Sequence, residues 1–231
     1  MTPWRAAAAA LVVALAAWAA AAPPCGIDER VTAIDPDAHP ERIVLDPAWR
    51  LPPGYAPSDL VPVSRAGFAS ELPLRSIVID DLRALRTAAE ADGMRLAVQS
   101  AYRSEAYQDA VHQGWVRQLG AERAAEVSAR PGHSEHQLGT AVDLHSADGP
   151  PAWELDDWAT TPEGAWVAEH AARHGFVISY PRDGRATSCY AYEPWHLRWV
   201  GREAAAAAAD AGLAYRAWLY LHHPPEEAAA P

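Results

Sequence analysis

The chain has 231 residues, enough for one domain with a sizeable core and short for two enzymatic domains. Half of the residues are hydrophobic, 21% are charged and ten are Trp, a composition that excludes a disordered or collagen-like chain. The formal net charge is −11 and no lysine occurs, so nothing marks a partner rich in phosphate such as nucleic acid, and two cysteines exclude a disulfide-rich scaffold or a four-thiolate zinc site.

Residues 1–22 read as a secretory signal, with Arg5 ahead of an uncharged, alanine-rich run and small-residue cleavage options at Ala17-Trp18-Ala19 and Ala20-Ala21-Ala22. Retention as an anchor is the alternative, and it would be the only membrane contact; on either reading the rest of the chain lies outside the cytoplasm, in the cell envelope or beyond it. A Cys25–Cys189 bond is chemically permitted there and is expected. Residues 23–44 lack periodicity and read as an extended arm, 45–216 as the domain, and 217–231 as a Pro-rich acidic tail.

Within the domain, Val78, Leu82, Leu85 and Ala89 predict a helix over about 76–91, stopped by Gly93, and residues 94–100 alternate like a strand. Ser104 is a good N-cap for a second helix reaching Gly120, with Tyr107, Val111 and Leu119 on one side. Residues 131–146 are rich in Gly and His and then strand-like. Thr160-Thr161-Pro162-Glu163 announces a helix ending at His174-Gly175, strands are expected at 176–180 and 195–200, and an alanine-rich helix covers about 202–213. Helices and short strands alternate irregularly, which fits a single α+β domain with no internal repeat.

The chemistry concentrates in PGHSEHQLGTAVDLH (131–145) and YEPWHLRWVG (192–201). His136, Asp143 and His196 are two imidazoles and one carboxylate, a donor set that suits catalytic zinc and leaves a fourth position for water. Glu193, three residues before His196, is then free to act as general base. Spacing alone leaves each residue an ordinary role: a hydrogen-bonded core histidine, a locally paired carboxylate.

These segments, with SAYRSEAYQ (100–108) and HGFVISYP (174–181) in the same order, closely resemble the VanY-type zinc D-alanyl-D-alanine carboxypeptidases and the related L,D-carboxypeptidases and D-Ala-D-Ala dipeptidases. The resemblance covers roughly 45–202. It implies a central antiparallel sheet packed by helices, one zinc ion per chain, and removal of the terminal D-Ala from peptidoglycan stem peptides. It makes His136, Asp143 and His196 the zinc ligands, Glu193 the base, and Arg103 the group that holds the substrate and neutralises the developing oxyanion, with Gln108 and Ser134 bonding the substrate's terminus. Two departures border the expected groove: Ser179 stands where the family has Arg, and Thr187-Ser188-Cys189 stands where it has a Thr-Gly pair. His133 and His145 would overfill a three-ligand site and are expected outside it, and His170 with His174 lacks a third ligand. Trp153 to Trp166 reads as core or rim packing, although aromatic faces there could also contact a substrate. The chain is expected to act as a monomer. An L,D-carboxypeptidase or a dipeptidase is the alternative within the enzyme class, and a non-catalytic zinc module binding the cell wall is the alternative outside it.

Overall fold

Alternation along residues 141–146 organises the molecule: Val142 and Leu144 are fully buried on one face of this strand, while Asp143 points the other way. The computed structural model describes residues 23–182 and 184–229; the expected signal segment, 1–22, lies outside them. In chain order, β1 (Arg30–Val31), β2 (Trp49–Arg50), β3 (Leu60–Pro62) and β4 (Pro73–Arg75) precede α1 (Ile79–Ala91), β5 (Leu96–Ser100), α2 (Glu105–Leu119) and α3 (Ala121–Val127). There follow α4 (Glu135–Leu138), β6 (Ala141–Ser146), α5 (Pro162–His170), β7 (Phe176–Ile178), α6 (Arg185–Ser188), β8 (His196–Trp199), α7 (Arg202–Asp210) and α8 (Tyr215–His222).

The central sheet has the order β5-β6-β8-β7 with every pairing antiparallel, as expected for an α+β domain. One face is closed by α1, whose Leu82 and Leu85 are fully buried in the cluster that holds Val142, Leu144, Leu197 and Phe176. Burial of each such side chain stabilises the fold by about 1.5–3 kcal/mol. Helix α5 starts as its sequence requires: Thr161 Oγ1 accepts from Gly164 N at 3.0 Å, and Pro162 takes the first helical position. Gly164 has no substitute, because a Cβ there would lie 2.1 Å from the Trp158 carbonyl oxygen.

Two expectations change. The presumed arm and tail pair with each other, through an antiparallel bridge between Thr32 and Glu227 and a 2.9 Å bond from Ala228 N to Val31 O. They also pack on the domain. Ile34, Ile43, Val44 and Leu45 are buried, and a boundary at 216 would cut α8, where Trp218 and Leu219 are buried beside Trp49 and Val200. The second change is in α2, whose buried side chains are Gln108 and His112, while Tyr107 and Leu119 are exposed. Gln108 Nε2 donates to Ala129 O at 2.7 Å and His112 Nδ1 lies 3.0 Å from Ser128 O, so polar anchors seat this helix and its aromatic side chains face outward.

Cys25 and Cys189 are disulfide-bonded, with Cα atoms 5.4 Å apart, which ties the first described residues to the loop leading to Glu193. Cys189 holds φ +73°, the left-handed backbone that a glycine adopts without cost. A bond closing a loop of this length contributes about 2–5 kcal/mol. A Cys25→Ser, Cys189→Ser double variant should therefore unfold at lower denaturant than the oxidised protein and match the reduced one, as read by equilibrium denaturation.

Candidate active site

Strand register brings the metal-type residues together. Asp143 on β6 is the direct cross-strand partner of His196 on β8, and both project from the face opposite α1. His136 arrives from α4, a single turn capped at its start by Ser134 Oγ, which accepts from His136 N at 3.3 Å, and at its end by Gly139 with φ +77°. One ligand atom from each of His136, Asp143 and His196 falls within 4.8 Å of the others, and all three residues are buried. The two imidazoles meet edge to face, with centroids 4.8 Å apart.

Hydrogen bonding prepares these atoms for a cation. His136 Nδ1 donates to Ala101 O at 2.6 Å, which fixes the tautomer and leaves Nε2 without a hydrogen-bond partner, 3.3 Å from Asp143 Oδ2. Burial, reinforced by the Arg103 charge, holds the His136 imidazole down at about 4, so it is a neutral donor at pH 7. Burial alone would raise Asp143, but His136 and His196 keep it ionised well below the usual carboxylate range. His196 sits between two carboxylates, with Nδ1 at 3.1 Å from Asp143 Oδ1 and Nε2 at 2.9 Å from Glu135 Oε2. Burial disfavours its charge, yet those two bonds push it up to about 10, so a metal entering must displace a proton. The orphaned Nε2 of His136, the ionised Asp143 and the His196 Nδ1 edge form an N/O/N set that fits zinc.

Glu135 was not singled out in the sequence, and it is a buried charge with three side-chain partners in the site. It accepts from His196 Nε2, from Ser179 Oγ at 2.6 Å and from Arg198 Nη1 at 2.9 Å. Burial would raise its carboxyl, but Arg198, His196 and Ser179 hold it down at about 2. Arg198, 1% exposed, also donates to Pro40 O and Ile43 O, so its charge is fully engaged. Ser179 therefore lies behind the ligands, bonded to Glu135, and does not border the groove. The one hint in the sequence was Arg198, an arginine between Leu197 and Trp199 in an expected strand, which calls for an anionic partner once buried but does not say which carboxylate supplies it.

On the open side a cleft of about 360 Å³ reaches the same residues. Glu193 borders it, with Oε2 4.0 Å from His196 Nδ1. Burial, with Asp143 adding to it against the pull of His196, pushes this carboxyl up to about 7, the range that suits a general base. Arg103 lines the cleft with a buried Nε that has no partner. Gln108 lines it too; because its Nε2 is held by Ala129 O, the unpaired Oε1 is an acceptor. An acceptor meets a substrate N–H, so Gln108 suits a peptide amide better than the expected terminal carboxylate. Ser134 keeps its hydroxyl proton available at the cleft floor. His133 is elsewhere, its Nδ1 2.8 Å from Asp46 O and 3.0 Å from Trp49 O, and the His145 side chain adds no atom to the metal group.

The family model described as VanY, D-alanyl-D-alanine carboxypeptidase, matches residues 71–202. The Bacillus subtilis (strain 168) protein YodJ, provisionally named a carboxypeptidase, is 36% identical over 192 residues, covering 80% of this chain and 70% of its own. Among solved structures, the LdcB LD-carboxypeptidase superposes with a TM-score of 0.69 at 30% identity, covering 83% of this chain and 96% of that one. A variant of the vancomycin resistance D,D-pentapeptidase VanY, in complex with Zn(II), gives a TM-score of 0.66 at 28% identity, with 78% and 98% covered.

Proposed function

This chain belongs to the VanY family of D-alanyl-D-alanine carboxypeptidases, and from that premise we propose that it removes the terminal D-Ala from peptidoglycan stem peptides outside the cytoplasm. The observation that carries this reading is the joint placement, on one cleft, of a His/Asp/His group, a carboxyl raised to about 7 and a guanidinium whose buried Nε has no partner. His136, Asp143 and His196 would hold zinc, with Glu135 fixing the His196 ring from behind. Bound there, zinc supplies Lewis-acid polarisation of the scissile carbonyl and lowers the pKa of a water toward about 7.

The chain's own groups do the rest. Arg103, a permanently charged planar fork, holds the substrate's carboxylate end and opposes negative charge growing on the carbonyl oxygen. Ser134 donates to the same end, and Gln108 Oε1 accepts from a peptide N–H. Glu193 takes the proton of the attacking water and returns it to the leaving amino group, which departs as free D-Ala. The Cys25–Cys189 bond supports export, because such bonds persist in oxidising compartments.

The likeness to an LD-carboxypeptidase keeps a second cut in view, and product analysis separates the two. With zinc present, a defined stem pentapeptide should yield one D-Ala and a tetrapeptide. Release of D-Ala from the tetrapeptide alone would transfer the reading to an L,D-carboxypeptidase, and hydrolysis of free D-Ala-D-Ala to two D-Ala, with the pentapeptide left intact, to a dipeptidase. No release from either would overturn it.

A further inference from the structure

Three large aromatic side chains are exposed among the described residues: Tyr107 at 60%, Trp115 at 39% and Trp153 at 52%. All three line the cleft that contains Glu193 and Arg103. Exposed aromatics scattered at random would need no explanation, but a set confined to one groove is the mark of a binding surface.

Both walls are held in place by buried anchors. Tyr107 and Trp115, with Val111 between them, follow the i, i+4, i+8 face of α2, which Gln108 and His112 pin to the Ala129 and Ser128 carbonyls. Trp153 stands on the turn 152–154, where Ala152 is fully buried and its N–H donates to Gln99 Oε1 at 3.0 Å. The charged residues lining the cleft, Arg103, Asp143 and Glu193, all belong to the reacting end, and the aromatic stretch presents no ion-pair partner. Eight residues of helix separate Tyr107 from Trp115, about 12 Å of wall. An extended peptide covers that distance with about three or four residues.

Resting on the proposed activity, we infer that Tyr107, Trp115 and Trp153 form a specificity subsite for the peptide upstream of the scissile bond. It takes at least three residues and grips the apolar parts of their side chains against the ring faces. The preferred substrate is thus a long stem peptide, and a blocked D-Ala-D-Ala is a poor one. Binding energy gathered on this wall, remote from the bond that breaks, is available to orient the reacting end.

The test compares kcat and KM for a stem pentapeptide, the same pentapeptide with glycine at its three upstream positions, and N-acetyl-D-Ala-D-Ala. Wild-type kcat/KM should fall at least tenfold from the first to the second and further to the third. Trp115→Ala and Trp153→Ala should each lower kcat/KM on the pentapeptide at least tenfold more than on the acetyl dipeptide, and Trp115→Phe should recover part of the loss. Equal kcat/KM for the three substrates, or equal losses on long and short ones, would overturn the subsite and leave the activity standing. Hydrolysis of none of them would overturn both.

Discussion

Replacing Glu193 with glutamine is expected to lower kcat by about 10²–10⁴-fold while the protein still binds one zinc ion. The amide keeps the volume of the side chain and loses the one property the reaction needs, a lone pair basic enough to take a proton from water. Glu193 lies outside the His136, Asp143 and His196 group, so the metal should stay. The pH dependence gives a second reading. A base works when deprotonated, so kcat/KM rises with pH through the carboxyl's pKa, which burial raises to about 7 in the metal-free chain. A divalent cation nearby favours the carboxylate and sets the acid limb at or below that value. In the glutamine variant this limb should vanish, and metal analysis should be unchanged. Loss of zinc instead would make Glu193 a ligand.

The second large effect falls on a residue that touches no substrate. Glu135→Ala should destabilise the metal-free protein by about 3–5 kcal/mol, because it strands the Arg198 charge in the interior. It should also weaken zinc binding by about 10–100-fold, since the His196 ring loses the carboxylate that fixes its Nε2 edge. The sign with pH follows from the depressed pKa. The Glu135 carboxyl falls from 4.5 to about 2 on folding, so its contribution is complete above about pH 4.5 and is lost as pH falls toward 2. Denaturation curves across that range should converge for wild type and variant at the acid end, and chelator competition reads the metal affinity. A variant as stable as wild type at pH 7, with unchanged zinc affinity, would remove Glu135 from the account.

The metal group was legible because its residue types and spacings survive in one dimension: a His and an Asp seven apart, and a Glu-x-x-His. What the chain order does not display is that Asp143 and His196, 53 positions apart, are register partners on neighbouring strands. Glu135 escaped notice although it adjoins His136, because its role depends on Arg198, Ser179 and His196, all brought in by folding. The helix over 105–119 starts and ends as Ser104 and Gly120 indicate, but the side that carries Tyr107, Val111 and Leu119 is not its buried face. Periodicity assigns apolar side chains inward, and here Gln108 and His112 find carbonyl partners while the aromatic face borders the cleft. Residues 23–44 carry no periodic signal because their packing is non-local: Ile34 and Ile43 fill a cluster with Leu51 and Leu138, and Thr32 bridges to Glu227 near the other end of the described chain.

The claim at the centre of this account is that one cation held by His136, Asp143 and His196 enables Glu193 to hydrolyse a C-terminal D-Ala. The most direct measurement is D-Ala release from a stem pentapeptide as zinc is titrated into metal-stripped protein. The account predicts no release without metal, and a linear rise that stops at one zinc per chain. Full release by the stripped protein, or none at any zinc level, would contradict it.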